Sequence, residues 1–182
     1  MLELALHILD IVENSVRAGA TRVRILIREI TAEDLFLMRI TDNGSGMTPE
    51  ERQRALDPFY TTKKVRRVGL GLPMLSDATE RTGGRMTLRS KPGTGTVVEA
   101  EFGLSHLDRQ PMGDIASTLI AIVVGTPGSD FTYRHEVDGR TYLLDTREIK
   151  KELEDVPLSH PEVTRFLREH ITEGLSAIGA SA

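Results

Sequence analysis

The sequence contains no cysteine. Disulfides, cysteine-ligated zinc and thiol catalysis are therefore excluded. Tryptophan is absent as well, and the aromatic residues are 5 Phe and 3 Tyr, so an aliphatic core is expected. The longest apolar run, Leu119–Val124, is strand-sized and far short of the roughly 20 residues that a membrane span needs. No cationic leader precedes the first amphipathic pattern, so neither a secretory signal nor membrane attachment is expected, and the expected location is the cytoplasm. A strong charge of one sign is lacking too. The formal net charge is -4, from 23 basic and 27 acidic residues. A protein that coats nucleic acid would be basic, which argues against nucleic acid as a partner.

What is present is an ordinary globular composition over 182 residues, more than one small α/β module needs and less than two average domains. Charge divides the chain unevenly. Residues 1–104 carry 15 basic and 14 acidic side chains, whereas residues 105–182 carry 8 and 13. The composition shifts near Gly103–Gly113, where Ser, Asp, Gln and Pro interrupt the apolar periodicity. A boundary is expected there, between a module at 1–104 and a small α+β extension at 105–182.

Apolar residues at helical spacing (Ala5, Ile8, Leu9, Val12, Val16) predict a helix over 2–18, stopped by Gly19. Alternation predicts strands over 21–30 and 35–41. Thr48-Pro49-Glu50-Glu51 carries an N-cap, a first-turn proline and a capping-box glutamate. A helix is expected over 69–82, then strands over 85–90 and 96–102. In the extension, 117–124 and 131–137 read as strands, Asp138-Gly139 as a tight turn into a strand over 140–144, and 146–153 and 161–178 as helices.

Four motifs carry chemistry. Asp10 and Asn14 are spaced i, i+4 on one helix face. An amide oxygen can ligate Mg²⁺, and an acid one turn away can orient or deprotonate a water. The same positions also lie in a polar stripe with Glu3, His7 and Arg17, the pattern of a solvent-facing side. Asp42-Asn43-Gly44-Ser45-Gly46-Met47 follows a strand. Its carboxylate can accept from an exocyclic amine while its glycines let backbone approach a planar base; alone, it is also an ordinary loop turn. Gly69-Leu70-Gly71-Leu72 opens a helix just after Lys63, Lys64, Arg66 and Arg67, a phosphate-favouring arrangement or simply a basic loop. Gly93-Thr94-Gly95-Thr96 joins two strands and brings a hydroxyl to the same end. Among the histidines, His106, His135 and His170 read as surface residues. His7 reads as tuning Asp10 or facing solvent. His160 or Ser159 reads as a cap ahead of Pro161 rather than as a phospho-acceptor.

These motifs, with Asp57-Pro58-Phe59-Tyr60-Thr61-Thr62-Lys63, occur in one order within about 85 residues. The series resembles the GHKL superfamily of ATP-binding domains, shared by gyrase, Hsp90, MutL and sensor histidine kinases. The helix motif is similar to MutL; the segment from Asp57 and the Gly-Leu-Gly-Leu box are similar to sensor kinases. The resemblance implies an α+β fold, a two-layer sandwich (the Bergerat fold) with three helices on a mixed, mostly antiparallel sheet. It implies ATP and Mg²⁺ as cofactors. Asn14 would ligate the metal, Asp42 would read the adenine amine with Thr96 in support, and Gly44, Gly46 and Met47 would line the base. Gly69, Leu70, Gly71 and Leu72 would receive phosphates, with Lys63 contacting them, and Asp10 would serve as general base. Departures are visible. Asp10 stands where hydrolytic members have Glu, the lid between Thr62 and Gly69 is short, and Arg67 replaces a glycine. The expected activity is that of an ATPase or histidine kinase-like protein kinase acting on a separate protein partner, in a stand-alone form without a phospho-accepting hairpin, with homodimerisation through the extension as one arrangement. The alternatives are a non-catalytic ATP-gated switch and a MutL-like DNA-repair ATPase.

Overall fold

The computed structural model describes residues 2–57, 71–154 and 156–181. Its elements, in chain order, are α1 (Leu4–Arg17), β1 (Arg22–Ile30), β2 (Leu35–Asp42), α2 (Pro49–Ala55), α3 (Gly71–Arg81), β3 (Arg85–Lys91), β4 (Gly95–Gly103), α4 (Ile115–Gly125), β5 (Asp130–Val137), β6 (Arg140–Asp145), α5 (Thr146–Leu153) and α6 (Pro161–Ile178). The strands form one sheet in the order β3-β4-β2-β1-β5-β6. β1–β5 is its parallel pair; β1–β2, β2–β4, β3–β4 and β5–β6 are antiparallel. The fold is thus α+β with a mixed, mostly antiparallel sheet. The strands and helices after residue 104 build onto that same sheet.

Alternation in β1 shows how the layers are made. Val23, Ile25, Ile27 and Glu29 point inward and are buried, while Arg22 and Arg24 point out. The inward face meets a helix layer in which α3 lies beside α1, α1 beside α4, and α4 beside α6. Leu4, Ile8, Ile11 and Val12 of α1 are nearly inaccessible, each stabilising the fold by about 1.5–3 kcal/mol. The outward face is polar: Arg39 pairs with Glu99, Arg85 with Glu101 and Arg28 with Glu136 across neighbouring strands.

Local signals are realised in detail. Thr48 and Glu51 form a reciprocal capping box with Pro49 in the first turn of α2. Gly19 follows α1 with φ +79°, and the His160 ring caps α6 by accepting from the Glu162 amide. One element differs from expectation. Residues 117–124 are helical, lying within α4, not extended. The Asp114 carboxylate accepts from the Ser117 amide at 2.8 Å and starts the helix. Its buried residues (Ile115, Ala116, Thr118, Leu119, Ile122, Val123) then follow the helical period between α1 and α6. A short β-branched run is ambiguous in period; the cap and the packing on both sides select the helix.

A second correction concerns His135, which is buried. Its Nε2 lies 2.7 Å from Glu29 Oε1 and its Nδ1 2.8 Å from Tyr133 Oη. The Ser181 amide donates to the same Glu29 oxygen at 2.9 Å, tying the C-terminal end to the sheet. Burial pushes the Glu29 carboxyl up, but His135 and Ser181 outweigh it and hold the carboxyl below its ordinary value. The contribution is therefore present at neutral pH and is lost as the pH falls through that lowered value. Glu29→Ala strips the buried ring of its partner. It is expected to lower stability by about 3 kcal/mol, a melting temperature lower by roughly 6–12 °C, measurable by thermal denaturation.

Candidate functional site

The site forms where α1, the turn after β2, the β3–β4 hairpin and the start of α3 converge. Asp42 ends β2. Its Oδ1 accepts from the Gly44 amide at 2.8 Å and the Thr96 amide at 3.2 Å, and its Oδ2 accepts from Ser15 Oγ at 2.8 Å. Three donors from three elements fix the carboxylate in one orientation. An ionised carboxylate has about four acceptor positions, so Oδ2 retains capacity to accept from a further donor. Ser15, a buried residue of α1, is thus the joint between the helix and the turn. Sequence reasoning passed over it, although its position beside Asn14, rotated about 100° round the helix, was a signal that it faces the sheet.

The turn is held tightly. Asn43 Oδ1 accepts from the Thr21 and Arg22 amides at 3.0 and 2.8 Å. Ser45 donates its amide to Ala18 O at 2.8 Å, and the Gly93 amide donates to Ser45 O at 2.7 Å. Gly46 has φ +67°, and a Cβ there would lie 2.0 Å from Lys91 O; only glycine fits. The Met47 amide donates to Ser90 Oγ at 2.9 Å, and Ser90 Oγ lies 2.9 Å from Thr96 Oγ1. Thr96 therefore meets Asp42 through its backbone amide and Ser90 through its hydroxyl. Ser90 is a second residue the sequence did not single out.

One turn back along α1, Asn14 Nδ2 donates to Asp10 Oδ2 at 3.1 Å, and Arg17 Nη1 donates to Asn14 Oδ1 at 2.7 Å. Asp10 packs against the first residue of α3: a Cβ on Gly71 would lie 1.8 Å from Asp10 Oδ2. The acid and the glycine box are therefore in contact, although 61 residues separate them. Leu72, the next residue, is partly buried against the core. Lys63, Gly69 and Leu70 lie outside the described residues, as does most of the segment from Asp57 to Gly69. His7, one turn before Asp10, does not face solvent; it is 1% exposed, with Nε2 3.0 Å from Gln110 Oε1. Among the described residues, no group of three or more His, Asp or Glu side chains could hold a metal ion, and no helix is long and apolar enough to cross a membrane.

Comparison with known proteins follows the same geography. Residues 2–106, which span α1 to β4, match the family described as histidine kinase-, DNA gyrase B-, and HSP90-like ATPase. The chain belongs to this family. Among curated relatives, a putative sensor protein of Shewanella frigidimarina is 29% identical over 103 residues, 56% of this chain and 16% of that protein. The sensor protein kinase FleS of Pseudomonas aeruginosa is 35% identical over 89 residues, 49% of this chain and 22% of that one. The chain thus spans less than a quarter of the length of these two relatives. Among solved structures, the Aquifex aeolicus MutL ATPase domain, complexed with ADP, is similar with a TM-score of 0.52 at 15% identity, over 93% of this chain and 88% of that one. The N-terminal domain of a DNA repair protein is similar with a TM-score of 0.56 at 16% identity, covering 99% of this chain and 57% of that one. The structural likeness therefore runs through the elements after residue 104 as well.

Proposed function

We propose that this family member binds Mg²⁺·ATP between α1, the turn after β2 and the start of α3, and acts in the cytoplasm as an ATPase or protein kinase on a separate protein partner. The observation that carries the reading is the Asp42 carboxylate, fixed by Gly44, Thr96 and Ser15 with acceptor capacity left on Oδ2, an arrangement suited to an adenine amine. The buried Gly44 and the close-packed Gly46 and Met47 line the base. Asn14 supplies an amide oxygen for Mg²⁺, a hard cation that accepts one or two protein oxygens and completes its shell with phosphates and water. The chemistry Mg²⁺ would supply is charge neutralisation on the phosphates. Gly71 and Leu72 at the start of α3 offer backbone amides to those phosphates, with Gly69, Leu70 and Lys63 assigned there by family resemblance. Asp10 is the general base for water or a partner hydroxyl.

The similarity to sensor kinases over α1–β4 supports phosphoryl transfer to a partner, with residues 105–182, which lie beyond that matched region, as a surface for homodimerisation. Incubation with γ-labelled ATP, Mg²⁺ and cell extract tests the reading. Label on a protein, or release of labelled phosphate, is the expected result. ATP that binds but stays intact would instead make the protein a nucleotide-gated switch, and failure to bind ATP would overturn the reading.

A further inference from the structure

The residues between β4 and α4 do more than link them. The near half of this connector is fastened to the β1–β2 turn: the Leu104 amide donates to Asp34 O at 2.9 Å, the Ser105 amide donates to Asp34 Oδ1 at 2.7 Å, and the Arg109 guanidinium lies 5.1 Å from the centre of the Phe36 ring. The far half is fastened to α1. That helix has no side-chain cap at Glu3; instead its first amides, Leu4 and Ala5, donate to Pro111 O and Met112 O at 3.0 and 2.9 Å. Connector backbone thus satisfies donors that a helix start ordinarily leaves to its own cap or to water. Between the two anchorages Gln110 reaches His7, and Asp114 then starts α4 and, with Ser117, meets Arg168 of α6.

His7 is the unusual member. It is 1% exposed, its Nε2 is engaged by Gln110, and its Nδ1 is buried with no hydrogen-bond partner among the described residues. An unmade hydrogen bond on a buried polar atom is costly in a folded protein. The ring sits one turn from Asp10 on the same face of α1, where the Gly71 backbone acts on it as a hydrogen-bonding group and Asp10 through its charge. Asp10 in turn touches Gly71 and accepts from Asn14.

We propose that His7 and Gln110 are a positioning pair that couples occupancy of the Asp10–Asn14–Gly71 corner to the connector, and through it to α4 and α6. The inference rests on the proposed Mg²⁺·ATP reading of that corner. Drawing Asn14 Oδ1 to a metal takes it from Arg17 and turns its amide, which changes the donor that Asp10 Oδ2 now holds. The His7 ring is the buried neighbour of Gly71 and Asp10, and a shift of the ring bears on Gln110, which holds its Nε2. Gln110 cannot move without the carbonyls that cap α1 or the residues that start α4. Coupling of this kind is reciprocal, so what binds the extension feeds back on the nucleotide.

Hydrogen exchange of the full chain, with and without Mg²⁺ and a non-hydrolysable ATP analogue, tests the pair. The analogue is expected to slow exchange of the Thr118–Ile122 amides of α4 about 5-fold or more in the wild type. The slowing should persist in Gln110→Glu, which keeps the acceptor oxygen, and vanish in Gln110→Leu, which loses it. His7→Asn, too short to reach Gln110, should behave as Gln110→Leu, and calorimetry run alongside reports analogue binding. Slowing that survives in Gln110→Leu and His7→Asn, or a wild type that binds the analogue without slowing, overturns the coupling and leaves the nucleotide site standing. A wild type that does not bind the analogue overturns the nucleotide reading, and the coupling with it.

Discussion

Asp42→Asn is expected to reduce ATP affinity at least 100-fold while the protein stays folded. The present carboxylate accepts two backbone amides on Oδ1 and the Ser15 hydroxyl on Oδ2. An asparagine has one oxygen to offer. If the oxygen stays with Gly44 and Thr96, the new NH₂ group faces the adenine amine, donor against donor. If it turns the other way, two backbone amides lose their acceptor, each unmade bond costing about 1–3 kcal/mol. The first orientation loses the interaction with the base; the second keeps an acceptor toward it only by giving up two backbone bonds, so either weakens binding, and a tenfold loss corresponds to about 1.4 kcal/mol. Calorimetric titration with ATP, paired with a melting curve, separates lost binding from lost fold. Affinity within a few-fold of wild type would remove Asp42 from the base pocket.

Asp10→Asn is the second large effect, and it should fall on turnover rather than binding. Asp10 lies between Asn14 and Gly71, where the proposed reading puts the phosphates. A positioned base contributes about 10²–10⁴-fold to a proton-transfer step, so ATP turnover should drop by that factor while affinity changes little. Asn keeps the side-chain length and an acceptor oxygen toward Asn14 Nδ2, so the helix contact survives and only the basicity is lost. Turnover unaffected by the substitution would place the proton elsewhere.

Much of this is legible in the sequence, because local signals and tertiary context agree. The capping box at Thr48, the glycine stop at Gly19 and the alternation in β1 all appear where the pattern puts them. The α+β fold was legible too, through the ordered motifs that mark its family. The α4 helix was not, because a run of Ile, Ala and Val satisfies a buried strand and a buried helix equally. Asp114 starts the helix and neighbouring α1 and α6 bury it, and the latter is information that no window of sequence holds. His135 failed for a similar reason. A histidine in an alternating strand can face either way, and the partner that makes burial tolerable, Glu29, is 106 residues away and is itself held by Ser181, 152 residues further on. Ser15 and Ser90 were missed because a serine hydroxyl carries no motif of its own; each matters only through the carboxylate or hydroxyl it meets. The connector's hold on α1 is made by backbone carbonyls, which any residue type can supply.

The central claim is that the Asp42 corner selects adenine and the Asn14 corner holds the metal–phosphate end. It is tested most directly by equilibrium titration of the wild-type chain with ATP and GTP, each with and without Mg²⁺. The account predicts saturable ATP binding that Mg²⁺ strengthens, and little GTP binding, because guanine presents a carbonyl where adenine presents its amine to the Asp42 carboxylate. Equal affinity for both nucleotides, or no binding of either, would contradict it.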